Sequence, residues 1–241
     1  MGWRVFGLTA MVFMASFPVS GQSHEWTLAL VGRGNFTTTS RIYPNPDAPS
    51  DELRAINTPF NSVLNGGLEI RAKWRDDNFF FFLSTEYFSE SSTELKLDGS
   101  LIPPRRVPVE DGYRVIPFEL GMQVYVPIGS RSWNLSMGGG AGAYYAERIL
   151  EVAGVRALPV GNRIGFGIHV SIHAEYRIFP GISAVAMVKF RDPEIDVVNK
   201  FESSTTVFNG DVLMLPSGDI GSRVNVDGMT LGFGIIVEIL R

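Results

Sequence analysis

The ionisable side chains best placed to do chemistry in this sequence recur at alternate positions. Arg33, Glu69, Arg71, Lys73, Glu86, Glu119, His169, Glu175, Arg177, Lys189, Arg191 and Glu238 are flanked mostly by apolar or small residues. Alternate side chains share one face of a β-strand. These groups therefore collect on common faces, where cations and carboxylates can pair. Pairing or contact with water is required, because an isolated ion taken out of water is very costly. Two chemistries suit such a set: a self-neutralising network that fills an interior, or a gated ion path. The first asks only for pairing, and it is the reading adopted.

Other candidate centres are weaker. His169 and His173 form an H-x-x-x-H pattern, which on a helix brings two imidazoles to one metal. On a strand they stand about 13 Å apart at roughly 3.3 Å per residue, too far to ligate one ion together. Gly138-Gly-Gly-Ala-Gly142 lacks the Lys and the following helix of a phosphate-cradling loop. No Gly-x-Ser-x-Gly elbow occurs. Arg105, Arg106 and Lys200 are cations that can meet phosphate groups. Asp192, Glu194 and Asp196 can offer oxygens to a hard cation such as calcium. Solvated loop charge accounts for both sets more simply. These patterns lead us to expect no cofactor, no metal centre and no enzymatic activity.

The elements that must position these groups are visible in the alternation itself. Over 164–178, Ile164, Phe166, Ile168, Val170, Ile172, Ala174, Tyr176 and Ile178 make one parity. Gly165, Gly167, His169, Ser171, His173, Glu175 and Arg177 make the other. Strands of soluble proteins run about five or six residues, whereas a membrane-spanning strand needs roughly 9–11. The apolar parity is too uniform to face water. The pattern therefore predicts a membrane β-barrel, with lipid outside and a polar lumen. A soluble calyx also closes eight antiparallel strands, but it needs the reverse polarity.

The same alternation predicts strands over 26–36, 64–75, 79–88, 115–126, 133–147, 164–178, 182–191 and 229–239. Tight turns follow the second, fourth and sixth strands. The intervening segments 37–63, 89–114, 150–162 and 192–227 read as long loops. Short turns on one side and long loops on the other are the outer-membrane layout, and an even strand count puts both ends of the barrel on the periplasmic side. The last loop has room for one more hairpin, so ten strands is the alternative to eight. Trp26, Trp74, Trp133, Tyr87, Tyr145 and Tyr176 share the apolar parity near strand ends, where membrane barrels carry aromatic girdles.

Composition agrees with this reading. The 241 residues hold 21 Lys and Arg against 25 Asp and Glu, for a net charge of −4, and no cysteine. Disulfides and thiolate metal sites are excluded, and no basic patch points to nucleic acid. Arg4, the apolar run Val5 to Phe17, Pro18 and the small residues Val19-Ser20-Gly21 read as a signal peptide over 1–21, leaving 22–241 as the barrel.

Tyr113-Arg-Val-Ile-Pro-Phe-Glu-Leu-Gly-Met-Gln-Val-Tyr-Val-Pro127, a short polar turn, and Trp133-Asn-Leu-Ser-Met-Gly-Gly-Gly-Ala-Gly-Ala-Tyr-Tyr145 resemble the central hairpin of small outer-membrane β-barrel domains. These are the porin-like outer membrane protein beta-barrel families, akin in architecture to the transmembrane domain of OmpA. The resemblance implies an eight-stranded antiparallel up-and-down barrel in a bacterial outer membrane, and little about activity. With eight strands, the interior is just wide enough for side chains to fill. The expected function is therefore a barrel with a narrow, plugged polar lumen, structural or interactive through its loops. A small porin-like channel is the second reading and a lipid-modifying barrel enzyme the third. The expected partners are outer-membrane lipid, lipopolysaccharide included, and a surface ligand that the sequence does not identify; the expected state is a monomer.

Overall fold

The computed structural model describes residues 26–74, 78–98, 104–128, 130, 132–161 and 163–240. The signal segment expected over 1–21 lies outside them, as do Asp76 and Asp77 of the first tight turn. Eight long strands close a ring: β1 (Trp26–Tyr43), β2 (Thr58–Trp74), β3 (Phe79–Asp98), β4 (Arg105–Val126), β5 (Trp133–Val152), β7 (Ile164–Phe179), β8 (Ile182–Arg191) and β13 (Thr230–Leu240). Each pairs antiparallel with its neighbours, and β13 returns to β1 with Arg33 opposite Gly234. The up-and-down barrel expected from period two is the observed fold.

Strands β1 to β4 run well past the expected ends. Much of 37–63, 89–114, 150–162 and 192–227 is not loop but strand, which corrects the sequence reading. Three short strands continue the ring upward: β6 (Val155–Val160), β9 (Glu194–Phe201) and β12 (Ile220–Asn225). They take over from β7, β8 and β13, since β6 pairs with β5 and β9, and β12 joins β9 to β1. The extra hairpin allowed by the last loop exists as β10 (Thr205–Phe208) and β11 (Asp211–Met214), a separate two-stranded sheet. The barrel itself keeps eight strands around. Asn209 and Gly210 turn this hairpin with positive φ at both positions, as a type I′ turn requires. Between β1 and β2 lies one short helix, α1 (Asp51–Ala55), with Ser50 capping Leu53.

The barrel reverses its polarity along its length. On the lower half of β4, Phe118, Leu120, Met122 and Val124 face outward and exposed, while Glu119 and Gln123 are buried inside. On the upper half, Arg106, Glu110 and Arg114 take the outward parity, and Val107, Val109, Tyr113 and Val115 are buried. The lower half suits lipid outside, and the upper half suits water. Strands β1 and β2 keep their inner face through this change by slipping one residue. On β1 the buried set steps from Thr37 to Ser40 and Ile42, with Gly228 N–H bonded to Thr39 O at 3.1 Å. A Cβ on Gly228 would stand 2.3 Å from that oxygen, so only glycine fits. On β2 the slip falls at Ser62, whose φ is 63°.

Aromatic pairs mark the lower edge of the lipid-facing zone: Trp26 on Trp74 at 4.5 Å and Trp133 on Tyr176 at 4.9 Å between ring centroids. Tyr87 and Tyr145 sit at the upper edge. Along β5 the two edges are roughly 12 residues apart, or about 40 Å at 3.3 Å per residue. A strand tilt of about 40° brings that to about 30 Å, one hydrocarbon thickness.

Topology gives a direct test. Ser204 lies in the exposed upper segment, and Ile128 is 73% exposed in a short turn at the opposite end. The chain has no native cysteine. Intact cells treated with an impermeant maleimide should label Ser204→Cys and leave Ile128→Cys unlabelled. The reverse pattern would invert the barrel.

Candidate functional site

The inward faces of the lower strands bring most of the alternating charges together. In a lower cluster, Arg33 pairs with Glu69. Arg71 bonds Glu69 through Nε at 2.5 Å, pairs with Glu175 and approaches His173 Nδ1 at 2.9 Å. The Arg71 guanidinium also lies 4.7 Å from the Phe80 ring centroid. In the next layer up, Lys189 Nζ bonds Glu86 at 2.5 Å and Glu119 at 2.7 Å. Arg191 reaches Glu86 at 2.7 Å and Glu119 at 3.3 Å. Tyr144 donates to Glu119 at 2.8 Å, and Ser84 donates to it at 3.3 Å. Arg33 links the layers at 4.0 Å from Glu86.

All eight of these ions are buried: Arg33, Arg71, Lys189 and Arg191 against Glu69, Glu86, Glu119 and Glu175. With the histidines neutral, the charge cancels. Cancellation matters because desolvation of each ion costs several kcal/mol, and only close pairing with further hydrogen bonds repays it. Glycines make the room. A Cβ at Gly67 would press on Glu86 Cγ, and one at Gly142 would press on Glu119 Cγ, each at 2.9 Å.

The remaining expected members lie lower. Lys73, Arg177 and Glu238 line a cavity of about 500 Å³ that Arg71 and Glu175 also border. Lys73 Nζ stands 5.2 Å from the Tyr125 ring centroid. The two histidines share a face but not a site. His173 belongs to the Arg71 cluster, while His169 lies 3.9 Å from Glu119 and against Phe82.

Above the ions the interior changes character. Ser40 and Tyr113 share a hydrogen bond of 2.5 Å, and over it sits an apolar core including Ile42, Phe60, Phe88, Val115, Ile195 and Val224. A third polar layer follows. Arg148 grips Asp111 with two bonds, at 2.9 and 2.8 Å, and Ser222 at 3.1 Å. The top is closed by Leu213 and Leu215 of the hairpin segment, buried with Val107, Val109, Leu150, Ala157 and Phe201. Asp111, Ile42, Phe60, Ile195 and Val224 were missed by the sequence reading because they fall in segments taken as loops, and Arg148 because the fifth strand was ended at 147; Phe88 and Val115 stand at the ends of expected strands. The missed signal was continuity, since Arg148 simply extends the inward parity of Ser136 to Ala146 on β5.

Several of the exposed charges have local partners. Arg105 pairs with Asp211 at 2.6 Å. Glu194 and Asp196 bind Arg223 at 3.0 and 2.8 Å, and Asp192 accepts from Asn225 at 3.3 Å. The hydrogen bond to Asp196 helps push the Arg223 guanidinium above its ordinary pKa. Among the described residues, no group of three His, Asp or Glu is placed to hold a metal ion.

No family model and no curated protein sequence matches the chain. Among solved structures, the outer membrane protein OprG from Pseudomonas aeruginosa is similar, with a TM-score of 0.57 at 12% identity over 90% of this chain and 97% of that one. Ail, the attachment invasion locus protein of Yersinia pestis, aligns at a TM-score of 0.43 and 10% identity over 88% of this chain and 99% of that one. The likeness to OprG is one of fold. With the lipid-facing belt and the girdles, the architecture is that of a small bacterial outer-membrane β-barrel.

Proposed function

We propose that the protein is an outer-membrane barrel sealed to ions and solutes, whose role is structural or interactive at the cell surface. The observation that carries this is the succession of fillings along the axis: paired ions, apolar core, the Asp111–Arg148 layer, and the hairpin closure. Each needs the others' shape, because an eight-stranded bore is nearly filled by its own side chains. Exposed Val207, Val212 and Met214 on the β10–β11 hairpin, with Leu95 and Leu97 on β3, give the upper end an apolar surface suited to contact. The signal peptide expected over 1–21, which implies export, and the barrel fold both support an outer-membrane location.

The second reading, a small pore, draws on the cavity at the lower end. Planar-bilayer recording separates the two. The wild-type protein is expected to give no steady conductance steps, and large stable open currents would overturn the sealed reading in favour of the pore. A lipid-modifying activity finds no support in the histidines, since His169 and His173 are enclosed in the ionic layers.

A further inference from the structure

One part of the lipid-facing surface is concave. Between β4, β5 and β7 lies an outer groove of about 560 Å³. Phe118 and Leu120 of β4 form one wall, and Phe166 and Ile168 of β7 the other. Ala141 and Ala143 of β5 give a low floor. The walls stand well clear of the barrel: Phe166 is 78% exposed and Ile168 73%. The groove arises because β5 presents small residues where its neighbours present large ones.

A charged cluster sits above the groove on the same outward parity. Tyr145 pairs with Ile116 and Ile164, and Glu147 pairs with Arg114. Tyr145 and Glu147 lie about 7 and 13 Å beyond Ala143 at 3.3 Å per residue. Arg163 reaches both Tyr145 OH, at 2.7 Å, and the Glu147 carboxylate; Arg114 is 3.5 Å from that carboxylate. Two guanidiniums thus face one carboxylate, a surplus of one positive charge, and all three side chains keep solvent access. The cluster marks the upper edge of the apolar belt, where the head groups of the outer leaflet lie.

We propose that this face binds one lipid A moiety of lipopolysaccharide, with an acyl chain in the groove and a phosphate at Arg114 and Arg163. This rests on the outer-membrane reading above. An acyl chain in the groove gains contact with Phe118 and Phe166 that a flat belt would not offer. Arginine forks match phosphate oxygens. The outer leaflet supplies lipopolysaccharide at this height, which commits the site to lipid A over a glycerophospholipid.

Native mass spectrometry of the folded full chain, released from micelles titrated with hexa-acylated, bisphosphorylated lipid A, tests this. Wild-type protein should retain one copy. Ala143→Leu, which fills the floor, and Arg163→Gln, which removes a fork, should each weaken retention at least ~10-fold. Ala186→Leu, on the outward face of β8 away from the groove, should leave it unchanged. Ala141→Leu and Arg114→Gln serve as second variants, and a heat-modifiable gel shift reports folding of each. Retention unaffected by these changes, several copies held alike, or equal retention of phosphatidylglycerol would overturn the lipid A site. Conductance is read separately, so an open pore would sink the sealed-lumen reading and leave this one standing.

Discussion

Replacing Glu119 by alanine is expected to lower unfolding stability by about 3–5 kcal/mol, the range for removing one partner of a buried ion pair. Glu119 is where Lys189, Arg191, Tyr144 and Ser84 converge. Without it, Lys189 and Arg191 face Glu86 alone, and the balanced interior gains a net positive charge. Tyr144 also loses the acceptor of its hydroxyl, an unsatisfied group of the kind that costs about 1–3 kcal/mol. Glu119→Gln keeps the volume while removing the charge, so most of the loss should persist in it. The measurement is the urea midpoint of the heat-modifiable gel shift in micelles. A change below about 1 kcal/mol in both variants would show that the paired ions do not hold the lower barrel together.

The second large effect belongs to the outer face. Ile168→Arg places a cation in the belt, and a charge near the bilayer midplane costs about 2–4 kcal/mol. The control must tolerate arginine. Ser171, on the polar parity of the same strand, is unsuitable: it is buried and accepts from Gln123 at 2.7 Å, so a larger side chain there would overpack the interior. Asn134 borders the open lower cavity beside Glu175, its register partner on β7. Asn134→Arg should therefore fold with near wild-type yield into lipid vesicles, and Ile168→Arg should not. Equal yields would undo the assignment of faces.

The lower half of the barrel was legible because lipid enforces a rule. Every outward side chain there must be apolar, so period two stands out over whole strands such as 164–178. The inward parity was legible for the same reason, and Arg33, Glu69, Arg71, Glu86, Glu119, Glu175, Lys189 and Arg191 do meet inside. Lys73, Arg177 and Glu238 share that parity but lie at the lower mouth, because alternation gives a face and not a depth. The upper half was illegible for a physical reason. Above Arg114 the polarity changes sign, so residues that looked lipid-facing by type turn inward. On β1 and β2 the one-residue slips at Thr38–Thr39 and Ser62 break the phase. A reader following one parity loses the strand where the solvent changes.

That change of solvent has a consequence for anything that approaches the cell. A barrel whose strands end at the membrane would present pliable loops, readable as short linear peptides. Here much of the upper wall is itself woven. Arg156 on β6, Lys200 on β9 and Arg223 on β12 belong to neighbouring strands although they are far apart in the chain. An antibody or a phage fibre that grips this face reads a discontinuous epitope that exists only while the upper barrel is folded. Sera raised against denatured polypeptide should bind this woven face poorly, and a single substitution in the enclosed Asp111–Arg148 layer should weaken its recognition without altering any exposed residue.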